Sequence, residues 1–170
     1  MNQILTTSRL YLREFSKEDA SSFYLLNKDP EVIKYTGDPP FSSVKEAELF
    51  IENYSAYKDI GYGRWAVCLL ENDSFIGFCG LKFHPKENIT EIGFRFFKEQ
   101  WNNGFATESA AAVIDYGFKK IGLSEIYAHA QINNLSSQRV IEKCGLQFVK
   151  NITHDDMPAK LYCIKKNQQQ

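Results

Sequence analysis

The sequence predicts an α+β fold in one domain, built on a mixed and mostly antiparallel sheet. Three observations carry that prediction. Two strand-like runs, Arg64–Leu70 and Phe75–Phe83, are joined by the turn Glu71-Asn72-Asp73-Ser74, which makes an antiparallel hairpin. A strand at Thr90–Phe97, a helix from Ala106 and a strand at Glu125–Ile132 then form a strand–helix–strand unit, whose strands run parallel through a right-handed crossover. Finally, Phe148–Asn151 and Lys160–Lys165 read as a closing strand pair.

Each element has a local reason. Arg9-Leu10-Tyr11-Leu12-Arg13-Glu14-Phe15 alternates apolar and polar residues, as a half-buried strand does. Ser16 with Asp19 makes a capping box that opens a helix to about Asn27, and Asp29-Pro30 stops it. Thr36-Gly37-Asp38-Pro39-Pro40 is a loop. Ser43 opens a longer helix with Ala47, Phe50, Ile51 and Tyr54 on one face, ended by Gly61-Tyr62-Gly63. Ala110, Val113, Ile114, Gly117, Phe118 and Ile121 trace the stripe of a helix that stops at Gly122. Leu135–Cys144 is a short helix capped by Asn134 and closed by Gly145. The tail Asn167-Gln168-Gln169-Gln170 is expected to fray.

Composition narrows the function. The 170 residues hold 20 basic and 21 acidic side chains, and no basic stripe, so nucleic acid is not an expected partner. No run approaches transmembrane length and the N-terminus lacks a signal-peptide core, so no membrane partner is expected. Cys68, Cys79, Cys144 and Cys163 are far apart in apolar segments, as free thiols of a reducing cytosol are. The four glycosylation-type sequons, at Asn72, Asn88, Asn134 and Asn151, are therefore read as chance matches. His84, His129 and His154 have no metal-ligand spacing, and no metal is expected.

The stretch Gln100-Trp101-Asn102-Asn103-Gly104-Phe105-Ala106-Thr107-Glu108 is the strongest chemical signal. A strand, a small-residue turn and a helix start leave free backbone N–H groups at a positive dipole end, which suits a diphosphate. The plainer alternative is that Asn102 or Asn103 caps the helix and Gly104 only shapes the turn. No lysine follows Gly104 as in a P-loop, and the three-glycine dinucleotide pattern is missing. A second feature is Asn134-Leu135-Ser136-Ser137, where Ser137 shares a helix face with Val140, Ile141 and Cys144. Ser137 either faces the interior side as a working hydroxyl or bonds to nearby backbone.

Trp101-x-x-Gly104-x-Ala106-Thr107-Glu108, then Asn134-x-x-Ser137, then Glu142-Lys143-x-Gly145 resemble the GCN5-related N-acetyltransferases (GNAT). Ser8-Arg9-Leu10-x-Leu12-Arg13, Asp29-Pro30-Glu31-Val32, Ile76-Gly77-x-x-Gly80 and Glu91-Ile92-Gly93-Phe94 resemble landmarks of one branch, the ribosomal-protein alanine N-acetyltransferases (RimJ/RimL-like). The resemblance implies a single N-acetyltransferase domain over residues 1–170, ordered at about 8–166, with a splayed parallel strand pair and helices on both faces. It also implies acetyl-CoA as cosubstrate: Trp101, Asn102, Asn103, Gly104, Phe105, Ala106 and Thr107 around the pyrophosphate, Phe94, Arg95 and Phe96 along pantetheine, and Asn134 at the neighbouring strand's end.

An alkyl amine, with a pKa of roughly 8 to 10.4, must lose a proton before it attacks a thioester. Alternation of Thr90–Phe97 puts Glu91, Gly93 and Arg95 on one face, so Glu91 is either the base or a solvated residue paired with Arg95. Glu108 is the alternative base, though the helix dipole already accounts for it. Many relatives place a tyrosine seven positions after the asparagine; Ile141 stands there, so by resemblance Ser137 is the donor to the thiolate, with Tyr127, Tyr162 or water as alternatives. Tyr35, Asp38 and Trp65 occupy the region where relatives bind the amine, unless that segment is only a proline turn with core aromatics. The expected enzyme is a cytoplasmic monomer or homodimer acting on a protein N-terminal amine by direct attack in a ternary complex. Alternatives are a small-amine (polyamine or antibiotic) acetyltransferase and a non-catalytic acyl-CoA sensor.

Overall fold

The computed structural model describes residues 2–168. One eight-stranded sheet runs through it in the order β1-β2-β3-β4-β5-β6-β8-β7. The strands are β1 (Gln3–Thr6), β2 (Leu10–Arg13), β3 (Arg64–Leu69), β4 (Phe75–His84), β5 (Ile89–Phe96), β6 (Glu125–Gln131), β7 (Gln147–His154) and β8 (Met157–Lys165). Neighbours pair antiparallel except β5 and β6, which are parallel. The helix between them, α5 below, supplies the crossover that a parallel pair requires.

Six α-helices complete the fold among the described residues: α1 (Ala20–Lys28), α2 (Pro30–Ile33), α3 (Val44–Glu52), α4 (Ala56–Asp59), α5 (Phe105–Tyr116) and α6 (Leu135–Lys143). Alternation along the strands sends apolar side chains to two cores. On one face Trp65, Val67, Leu81, Ile92, Ile126 and Ala128 pack against Ala110, Val113 and Ile114 of α5 and Ile141 of α6. On the other, Phe78 meets Phe23 and Leu26 of α1 and Ala47 and Ile51 of α3. This second core covers only the β2–β4 side of the sheet. Beyond β5, where Asn27 of α1 reaches Arg95, that face carries no helix among the described residues.

Several local expectations change. Strand β1 lies ahead of the anticipated start of the ordered core and pairs with β2. The helix opened by Ser43 stops at Glu52, because Asn53 leaves helical geometry and its side chain bonds back to the Leu49 carbonyl. A separate α4 then precedes Gly61. Asp29-Pro30 breaks the chain as expected, but Asp29 caps the new turn α2, accepting from the Glu31 amide at 2.9 Å. After α5 the chain continues as a π-helical turn, Gly117–Ile121, before the left-handed Gly122. Lys166–Gln168 forms a 3-10 turn; the fraying expected of Gln169 and Gln170 lies outside the described residues.

Candidate active site

The loop after β5 is tied to the strand it leaves: Trp101 Nε1 donates to the Phe96 carbonyl at 3.0 Å. Asn102 and Gly104 both take positive φ, 62° and 81°. Gly104 is the N-cap of α5, and no side chain caps that helix. Neither asparagine serves as the cap: Asn103 Nδ2 instead donates to the carbonyls of Gln100 and Trp101. The first-turn amides of α5, at Phe105, Ala106 and Thr107, are thus unclaimed by any side chain and sit at the positive end of a twelve-residue helix. Arg9 borders this turn, donating to the Asn103 carbonyl at 2.9 Å and lying over the Phe105 ring.

Glu108 is fully engaged nearby. Its carboxylate accepts from the Thr7 and Ser8 hydroxyls and from the backbone and side chain of Arg9, at 2.6 to 3.1 Å. Partial burial opposes ionisation, but these donors outweigh it and hold the carboxyl below its ordinary range. Glu108 therefore ties the segment before β2 to the first turn of α5.

The strands next to the loop part company. β4 and β5 pair throughout Ile89–Phe96, whereas β5 and β6 pair only at Glu91 and Tyr127 among the described residues. Beyond Glu91, the β6-facing edge of β5, including Phe94, Arg95 and Phe96, has no strand partner and offers backbone donors and acceptors. Asn134, at the far side of this opening, accepts from the Ser137 amide at 3.3 Å and so caps α6. The Ser137 hydroxyl has no hydrogen-bond partner among the described residues. Ser109, by contrast, returns its hydroxyl to the Phe105 and Ala106 carbonyls. Tyr127 is committed to Glu125, and the buried Tyr162 to Glu142.

On the helix-free side of the face, Glu91 is not paired with Arg95. Arg95 bonds Asp38 at 2.7 Å and the Asn27 side chain. Glu91 lies between two imidazoles: His129 Nδ1 is 3.0 Å from Oε1, and His84 Nε2 is 3.1 Å from Oε2 but off the line of a hydrogen bond. His154 stacks on His129, with ring centroids 3.7 Å apart. Burial alone would raise the Glu91 carboxyl; the contacts from His129 and His84 overcome it and keep the group well below the ordinary range. None of these three histidines stood out in the sequence. Only strand register brings them to Glu91, though alternation in β6 does place His129 on the face of Tyr127.

Trp65 is a correction. It is 1 % exposed and packs edge-on against Tyr116 in the α5 core, because alternation in β3 turns it away from the cleft. Its neighbour Arg64 faces the cleft instead, with its guanidinium over Phe78. Tyr35 lies under Lys34, and the following Gly37 packs against Asp155 at the tip of the β7–β8 hairpin. Cys79 is pushed up to about 12 and Cys144 to about 11 by burial, so neither is a thiolate at neutral pH. Among the described residues no group of three or more His, Cys, Asp or Glu side chains is arranged to hold a metal ion. No helix among them is long and apolar enough to cross a membrane.

An uncapped helix start lies beside a parted parallel strand pair, and known proteins resemble the chain that carries it. The acetyltransferase (GNAT) domain model matches residues 9–147. The uncharacterized N-acetyltransferase YoaA of Bacillus subtilis is 34% identical over 151 residues, covering 86% of this chain and 84% of that protein. A GNAT-family acetyltransferase from Bacillus anthracis superposes with a TM-score of 0.83 at 27% identity, over 96% of this chain and 98% of that one. Spermidine N-acetyltransferase from Vibrio cholerae, solved with CoA and spermine, gives 0.81 at 22% identity, over 96% and 99%. The chain belongs to the GNAT acetyltransferase family, and it is an N-acetyltransferase.

Proposed function

We propose that this enzyme is a cytoplasmic, RimJ/RimL-like N-acetyltransferase that moves the acetyl group of acetyl-CoA to a protein N-terminal amine by direct attack. One observation carries the cosubstrate: β5 and β6 separate just beyond Glu91 and Tyr127, next to a helix start that no side chain caps. The amides of Phe105–Thr107 with Asn102, Asn103 and Gly104 suit a pyrophosphate. The open edge of Phe94–Phe96 suits the amide groups of pantetheine, as an added strand would. Asn134, besides capping α6, borders the same opening, and Trp101 forms its outer wall, 40 % exposed.

The thioester then reaches the acceptor face through the gap. Glu91 provides the negative charge of the proton-accepting site, and the unengaged Ser137 hydroxyl supplies a proton to the departing thiolate. Asp38, half exposed and ion-paired to Arg95, and Tyr35 line the acceptor approach. A second reading, a small polyamine-like acceptor, is favoured by the spermine in the Vibrio cholerae spermidine acetyltransferase, whose fold this chain shares.

A panel of N-terminal peptides, polyamines and aminoglycosides, followed by thiol release, tests the acceptor. Preference for peptides of free N-terminus supports the first reading, and preference for polyamines the second. Tight coenzyme A binding with no thiol release from any amine would overturn both.

A further inference from the structure

We propose that His129 Nε2 is the atom that takes the proton from the incoming ammonium, with Glu91 as the positioning residue that holds the imidazole ring. The proposal rests on the N-acetyltransferase reading and names the base within it.

Three observations lead there. First, His129 presents Nδ1 to the Glu91 carboxylate at 3.0 Å. A neutral imidazole that donates from Nδ1 keeps its lone pair on Nε2, and Nε2 has no protein partner among the described residues. Second, His129 stands two residues beyond Tyr127, the last point at which β5 and β6 pair, so it flanks the gap where they part. His84 contacts the same carboxylate but sits opposite Ile89, at the other end of β5 and away from the gap. Third, the Glu91 carboxylate already faces two imidazoles within 3.1 Å, whereas the outward Nε2 of His129 keeps an unshared pair for an incoming proton. The depressed carboxyl of Glu91 fits an orienting role, like that of the acid behind a catalytic histidine.

The step balances simply. The ammonium N–H bond breaks, its proton goes to Nε2, and the freed nitrogen pair attacks the thioester carbon. As the tetrahedral adduct collapses, the carbon–sulfur bond breaks with its electron pair on sulfur; the thiolate takes the Ser137 hydroxyl proton, and the second proton lost from the acylated nitrogen restores that hydroxyl. The imidazolium, stabilised by Glu91, returns its proton to solvent.

The groups facing His129 set its pH response. They are Glu91 from β5, His84 and Lys82 from β4, and His154 with Asp155 from the β7–β8 hairpin, while its β8 partner Leu161 is uncharged. Arg64 lies further along the face, beside Gly93.

The test compares kcat/KM against pH for wild type, H129N, E91Q and H84N, alongside nitrogen NMR of the wild-type histidines. Asparagine still donates an N–H toward Glu91 but cannot accept the proton. H129N is expected to lose about 10²- to 10⁴-fold and to lose the acidic limb of the profile, with coenzyme A affinity unchanged. E91Q should keep the limb and move it to lower pH, since the imidazolium loses its counter-charge. H84N should keep the limb. Neutral His129 should carry its proton on Nδ1. The proposal is overturned if H129N keeps the limb, if E91Q or H84N abolishes it, or if NMR finds the proton on Nε2. Should the wild type acetylate no amine at all, the function reading fails, and the tautomer still decides whether the Glu91–His129 pair exists.

Discussion

Ser137 and Gly104 show how much single positions can carry. The Ser137 hydroxyl is free although its amide is used in the α6 cap, so side chain and backbone separate cleanly. S137A is expected to slow turnover by roughly tenfold to a thousandfold with the melting temperature unchanged, the range of general acid catalysis. A fall in stability with the rate intact would assign the residue to structure alone. Gly104 holds φ at 81°, and a Cβ there would lie 3.4 Å from Arg9 Nη2. G104A should therefore cost about 1–2 kcal/mol from the left-handed backbone, and it should weaken coenzyme A binding. Urea unfolding and calorimetric titration read the two effects separately.

At the scale of elements, α5 is anchored to the chain ahead of β2. Glu108 collects donors from Thr7, Ser8 and Arg9, so one carboxylate orders two segments about a hundred residues apart in sequence. E108Q keeps the shape but not the charge, and is expected to lose about 1.5–3 kcal/mol, the range for hydrogen bonds to a charged group. Its pH profile should keep the acidic limb, because the Glu108 carboxylate is already taken up by donors from Thr7, Ser8 and Arg9. A lost limb with unchanged stability would reverse that assignment. The same element shows what sequence reading grasps well. The strand–turn–helix around Gly104 was legible because alternation, a glycine turn and a helical stripe are all local signals. The break of the Ser43 helix at Asn53 was not, because an apolar run through Tyr54 continues the stripe. Tyr54 in fact leaves the helix to bond the Arg64 amide through its hydroxyl.

Across the whole molecule, the sheet couples stability to protonation. The folded state holds the Glu91 carboxyl below its unfolded value, so Glu91 contributes stability that is complete above the ordinary carboxylate pKa of about 4.3. That contribution is lost as pH falls toward the depressed folded value. Urea midpoints followed from neutral pH down to about 3 should therefore fall less steeply in E91Q than in wild type. A wild-type slope retained by the variant would show that other groups carry it. Burial also keeps the Cys79 and Cys144 thiols protonated, so thiol reagents should react with the fully buried Cys79 only at the rate of unfolding, and no acetyl-enzyme should accumulate on cysteine.

The sequence by itself determined the α+β architecture, the family and the strand–turn–helix around Gly104, because periodicity, turn residues and motif order are properties of neighbouring residues. Tertiary structure alone decided which side chains share the acceptor face. Strand parity removed Trp65 and put Arg64 in the cleft. The register of β4, β5 and β6 brought His84 and His129 to Glu91, and Arg95 went to Asp38 rather than to the glutamate four residues before it. Partners in adjacent strands are fixed by pairing and twist across tens of residues, and no local pattern in the sequence encodes that register.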